Sequence, residues 1–141
     1  AVPGPRPNPG GAGARPPARS AARGGGRFLD LERDAILSLD CRGTVIAPGG
    51  SCVCREASIA HMRELGTAVY LKLSLEEISG RICNLSTRGI ALAPGQTLAD
   101  VLAYRDPLYR KYADLVVDCP PGQELFQTAR LVMDRLRASG K

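Results

Sequence analysis

Residues 44–51, TVIAPGGS, have the types and spacing to form a binding loop. Thr44, Val45 and Ile46 with Ala47 read as a short buried strand, and Pro48-Gly49-Gly50-Ser51 stops it abruptly. Adjacent glycines after a strand let main-chain N–H groups approach a ligand, or another backbone, with no side chain in the way. A bare strand-to-helix turn would use the same residues, so the loop stands as turn or binding site at this point. Cys52-Val53-Cys54, with Cys41 and His61 nearby, offers metal-ligand types. Without paired Cys-x-x-Cys knuckles, free and mostly buried thiols are the better reading, and no metal site is assigned. His61 reads as a partly exposed helix residue. Residues 86–96, STRGIALAPGQ, place one cation, Arg88, among the hinge residues Gly89, Pro94 and Gly95. That suits a mobile lid or a plain surface loop. Arg105 sits at a helix junction beside Tyr104 and Tyr109, which read as packing residues.

The elements that must position these groups follow from periodicity. Leu31, Ala35, Ile36 and Leu39 recur at helical spacing, with Glu32, Arg33 and Asp34 opposite. The 44–47 strand follows, then a helix over 55–65 closed by Gly66. An apolar strand over 67–73 comes next. Ser74 and Glu77 form a capping box for a helix carrying Ile78, Arg81 and Ile82. After the lid, near 83–96, Thr97 and Asp100 open a helix to about Tyr104, and Asp106-Pro107 starts a separate turn. Residues 115–117 are a third strand, Pro120-Pro121 breaks the chain, and 124–137 form a last amphipathic helix. Strands separated by helices must run parallel, which predicts an α/β fold with an open parallel sheet. Ligands of such sheets bind beyond the carboxyl ends of the strands, where Gly49 and Gly50 lie.

Composition limits the alternatives. The 141 residues allow one domain, and a core of Leu, Ile, Val and Ala is expected because there is no Trp and only two Phe and four Tyr. Residues 1–27 hold seven Gly, six Pro, six Ala and five Arg with no acid, too little apolar surface to offset chain entropy. A disordered tail is expected there. Its scarce Ser and frequent Pro argue against a transit peptide, and translation of GC-rich sequence ahead of a misassigned start would look the same. The net charge of +5 belongs to this tail, since 14 basic residues face 14 acidic ones downstream. The folded part is therefore neutral, which argues against nucleic-acid binding. No apolar run reaches membrane-span length. Five cysteines form no even framework, which points to a reducing cytoplasm.

VIAPGGS, YLKLSLEEISGRI, the lid with STRG and YRDPLYRKYADLVVD together resemble the shikimate kinases, from about Phe28 onward. The resemblance implies a three-layer open parallel sheet of the P-loop nucleoside and shikimate kinase type. It implies an ATP- and Mg2+-dependent phosphotransferase acting on a hydroxyl of a small carboxylated acceptor, shikimate. Gly49, Gly50 and Ser51, the last where the family has a third Gly, correspond to the acceptor-binding loop. Arg105, in R-x-P-L-Y, corresponds to the clamp on the acceptor carboxylate, and Arg88 to the lid Arg over the phosphates. Arg81 and Pro120 or Pro121, the latter preferred, fall where the family sandwiches adenine. Glu32 fits the F-x-x-x-E helix, with Leu29 replacing a second carboxylate-binding Arg.

The larger departure lies at the front. Gly24-Gly25-Gly26-Arg27 lacks the Lys-Ser/Thr of a G-x-x-x-x-G-K-[ST] loop, so the family's first strand, its phosphate loop and the following helix and strand have no counterpart. The expectation is an incomplete sheet, its first two strands missing, over a partial domain at 28–141. The chain is expected to be inactive as written, monomeric and marginally stable, with exposed strand edges. A non-catalytic acceptor-binding or partner-binding remnant of a kinase is the alternative.

Overall fold

The computed structural model describes residues 25–82 and 95–140. Expectations for the start of the tail and for Arg88 lie outside the described residues. The elements run α1 (Gly25–Leu37), a 3-10 turn (Cys52–Cys54), α2 (Glu56–Leu65), β1 (Val69–Lys72), α3 (Leu75–Arg81), α4 (Leu98–Tyr112), β2 (Leu115–Asp118) and α5 (Leu125–Ala138). α1 starts at Gly25, inside the stretch expected to be a tail.

β1 and β2 pair in parallel with Val69 opposite Leu115 and Lys72 opposite Asp118. The α/β class and the parallel sheet expected from alternating strands and helices are thus observed. Residues 44–47, however, form no strand. Val45 is 95% exposed, and no strand among the described residues lies beside this segment to give it a ladder. β-branched residues fit a pleated, half-buried surface but do not create one; without a partner the backbone stays irregular.

Between this segment and β1 opens a cavity of about 1000 Å³. Ile46, Ile59 and Met62 line one side, Val69 and Leu71 the sheet, and Leu102 and Val132 the helices behind it. The buried core is correspondingly small. Its main cluster is Ile36 of α1, Cys52 and Val53 of the 3-10 turn and Ile59 of α2, with Met62, Leu108, Tyr109 and Tyr112 packed against it. An apolar hollow of this size predicts that the folded protein binds a hydrophobic dye such as ANS before any thermal transition. Native-state fluorescence no higher than that of free dye would contradict it.

Two capping expectations change in detail. Ser74 caps α3 by accepting from the Glu77 N–H at 3.2 Å, but Glu77 does not reach back to it. Its carboxylate instead accepts from Gly122 N–H at 2.6 Å and from Arg81 at 3.1 Å, tying α3 to the loop after β2. Thr97 and Asp100 do form a reciprocal box, but the helix they open continues to Tyr112, straight through Pro107. Asp106 is no cap there because its carboxylate accepts from Tyr70 Oη at 2.8 Å and Arg110 Nε at 2.7 Å. Pro107 has no N–H for the Ala103 carbonyl, a local cost that α4 absorbs.

The Gly122 N–H holds the Glu77 carboxyl below its ordinary value of 4.5, and Arg81 adds to the effect. A lowered folded pKa means that this contribution to stability is complete above the ordinary value and is lost as pH falls through the lowered one. Glu77→Gln is therefore expected to flatten the acid side of a Tm-against-pH curve as pH falls below the ordinary carboxylate value. Parallel curves for the two proteins would show that the pair does not contribute.

Candidate functional site

The 49–51 loop, α1 and α4 converge on one point. Ser51, 6% exposed, donates through Oγ to Glu32 Oε2 at 2.6 Å, which joins the 3-10 turn to α1. Gly49 lies under the same carboxylate: a Cβ there would sit 2.5 Å from Glu32 Oε1. A Cβ on Gly50 would sit 2.8 Å from the Tyr109 hydroxyl and 3.6 Å from Arg105 Nη1. Neither glycine has a positive φ, so what requires glycine is close approach and not backbone twist. The bare loop expected from sequence is real, but the chain's own Glu32, Tyr109 and Arg105 occupy the space beside it.

Sequence reasoning placed Glu32, Gly49, Gly50, Ser51 and Arg105, and the fold brings all five together. It read Tyr109 as packing. Tyr109 Oη donates to the Gly50 carbonyl at 2.5 Å, and Arg105 hydrogen-bonds to the same hydroxyl. The available signal was spacing, since residues four apart share a helix face and 105 and 109 must point the same way. The ring also lies against Tyr70 of β1, centroids 4.8 Å apart, and Tyr70 is in turn tied to Asp106. Burial raises the Tyr109 pKa, so the hydroxyl keeps its proton at neutral pH and can donate.

The cysteines beside the loop are thiols and do no evident chemistry. Burial, with Glu32 second, pushes the Cys52 thiol up to about 11. That is the wrong direction for a nucleophile. Cys41, Cys52, Cys54 and Cys119 are all free. His61 Nε2 lies 2.8 Å from the Leu39 carbonyl, a structural tie between α2 and the end of α1. Among the described residues no cluster of three or more His, Cys, Asp or Glu is placed to hold a metal.

Arg81 lies away from this point, at the far end of α3. It bonds to Glu77 and donates to the Gln123 carbonyl at 3.1 Å, which brings it to the exposed loop that carries Pro121. Among the described residues, no glycine run carries the Lys and Ser or Thr that would cradle a triphosphate. The glycine run enters the first turn of α1 at Gly25 and Gly26 and is followed by Arg27 and Phe28, with no Lys and Ser or Thr after it.

A family model described as shikimate kinase matches residues 13–133. Shikimate kinase of Pseudomonas fluorescens is 40% identical over 116 residues, covering 77% of this chain and 64% of that protein. Shikimate kinase of Stenotrophomonas maltophilia strain R551-3 is 36% identical over 109 residues, covering 75% of this chain and 61% of the relative. A segment making up 15% of mouse threonine synthase-like 1 is 32% identical over 112 residues, or 79% of this chain. No solved structure matches. The chain thus spans a little over three-fifths of the two bacterial relatives. From the Gly-Gly loop to the Arg-x-Pro-Leu-Tyr helix, the site is built from the motifs on which the likeness rests, and the chain belongs to the shikimate kinase family.

Proposed function

We propose that this chain supplies the acceptor side of a shikimate kinase-like phosphotransferase. It would hold a small carboxylated polyol, shikimate by family likeness, and orient one hydroxyl for phosphorylation. The observation that carries this reading is the convergence of Gly50, Arg105 and Tyr109, with Ser51 and Glu32 bracing the loop from α1. Arg105 offers a planar fork of donors to the acceptor carboxylate. The loop backbone offers N–H groups to the ring hydroxyls.

On the donor side, ATP and Mg2+ belong to the reading by family only. Arg81 and Pro121 are assigned to the adenine and Arg88 to charge on the transferring group. Because these 141 residues contain no phosphate-cradling loop, the chain alone is read as binding acceptor without turning it over. A monomer in the cytoplasm is part of the same reading. Among the described residues, no helix is long and apolar enough to cross a membrane.

The test is calorimetric titration of the protein with shikimate, followed by incubation with ATP, Mg2+ and shikimate. Saturable binding without shikimate 3-phosphate supports the reading. No binding overturns the acceptor role, and turnover above background overturns the inactivity. The match within mouse threonine synthase-like 1 favours a second reading, a module carried within a larger protein, which we take as an acceptor-binding or partner-binding remnant of a kinase. Binding of a carboxylated polyol that is lost on Arg105→Ala, with no nucleotide binding, fits that reading too.

A further inference from the structure

We infer that Tyr109 is the positioning residue of this site: its hydroxyl fixes the Gly50–Ser51 peptide, and with it the directions of the loop N–H groups, and it holds Arg105 over Gly50. The inference rests on the acceptor-binding reading above and assigns a task to a residue to which that reading gives none.

The reasoning starts from the peptide plane. In a trans peptide the carbonyl of one residue and the N–H of the next point in opposite directions. Tyr109 Oη captures the Gly50 carbonyl, so the Ser51 N–H is turned away from Tyr109. The preceding carbonyl, Gly49, is taken by Cys52 N–H at 3.1 Å, which turns the Gly50 N–H outward in the same manner. Neither of these two N–H groups has a hydrogen-bond partner among the described residues, and Gly50 is exposed. Adjacent donors held in fixed directions suit vicinal hydroxyls or a carboxylate edge.

Tyr109 is itself braced. Its ring is held by Tyr70, tilted 32° from parallel, and its neighbours Leu108 and Tyr112 pack on the same cluster of Ile36, Cys52, Val53 and Ile59. Arg105 Nη1 and Tyr109 Oη both lie over Gly50, so one hydroxyl registers the cation against the loop. A flexible glycine pair would otherwise lose its orientation to entropy.

Tyr109→Phe removes the hydroxyl and keeps the ring. The expected result is a roughly fivefold to tenfold weaker shikimate Kd, the loss of about one hydrogen bond. The Gly50 carbonyl-carbon and Ser51 amide resonances should move in ligand-free protein, while the thermal midpoint stays unchanged. An unchanged Kd overturns the inference, as does weaker binding with the Gly50 and Ser51 resonances unmoved. If the wild-type protein binds no shikimate, the acceptor reading falls. The ligand-free resonances then still decide whether Tyr109 sets the peptide: movement supports that role and stasis overturns it. A second variant, Tyr70→Phe, keeps both the ring stack and the Tyr109 hydroxyl. It should leave the Gly50 and Ser51 resonances in place, and movement equal to that in Tyr109→Phe would assign the effect to general packing.

Discussion

Arg105→Ala is expected to weaken shikimate binding by about 100-fold while leaving the thermal midpoint of the free protein within a degree or two. Among the described residues of the cluster, Arg105 is the one that brings a positive charge to Gly50. A charge-assisted bond contributes roughly 1.5–3 kcal/mol, and one guanidinium can make two of them to one carboxylate. Leu29 stands where the family resemblance calls for a second cation, so nothing at that position backs up the clamp. The fold should not suffer. Arg105 is half-buried on α4 and anchors no core cluster. Arg105→Lys separates charge from geometry: a point charge should recover only part of the affinity, because it cannot form the fork. Titration of the three proteins with shikimate and with its methyl ester checks the assignment. If wild type prefers the acid and Arg105→Ala binds acid and ester alike, the carboxylate is what Arg105 holds. An undiminished preference in the alanine variant would remove Arg105 from the site.

What could be read in advance divides along a physical line. Helices and caps that depend on residues within a turn of one another were legible: α2, α3 and α5 fall where periodicity and capping residues put them. β1 and β2 were legible as well, since each is a short apolar run bounded by breakers. Residues 44–47 have the same composition, yet a strand is a relation between two segments and this one has no neighbour among the described residues. Asp106 and Glu77 show a related limit. Each is a sound capping residue by spacing, but Tyr70 and Arg110 claim one carboxylate, and Gly122 and Arg81 claim the other. In each case a cation four residues on and a donor distant in sequence together satisfy the carboxylate, so it is not left for the local cap.

The site divides in the same way. Gly49, Gly50, Ser51 and Arg105 could be named from motif order. That Ser51 spends its hydroxyl on Glu32, and Tyr109 its own on Gly50, depends on contacts across 19 and 59 residues of chain. No local pattern encodes such contacts. The loop is therefore as well ordered as the small cluster beneath it, and its stability and its function share the same few residues.

Ile59→Ala should accordingly be the most damaging single truncation among the core residues around the loop, costing about 3 kcal/mol and lowering Tm by about 10 °C. Ile59 is 6% exposed and joins α2 to Ile36 of α1 and to Cys52 and Val53 just after the glycines. Ile-to-Ala changes in cores cost about 2–5 kcal/mol depending on how far the surroundings collapse. Here Ile59 also borders the 1000 Å³ cavity, so the three side-chain carbons removed enlarge a space that is already open. That favours the middle of the range over its top, because fewer packed contacts are lost on that side. Few other buried side chains can compensate, since among the described residues the cluster contains four buried ones. The matched control is Leu31→Ala on α1, 61% exposed, expected to change stability by no more than about 0.5 kcal/mol. Urea denaturation of the three proteins measures both effects. Because Cys52 and Val53 follow the Gly-Gly loop directly, Ile59→Ala should also weaken shikimate binding at temperatures where the fold persists, whereas Leu31→Ala should not. A destabilised Ile59→Ala protein that binds shikimate with wild-type affinity would show that the loop keeps its shape without the cluster.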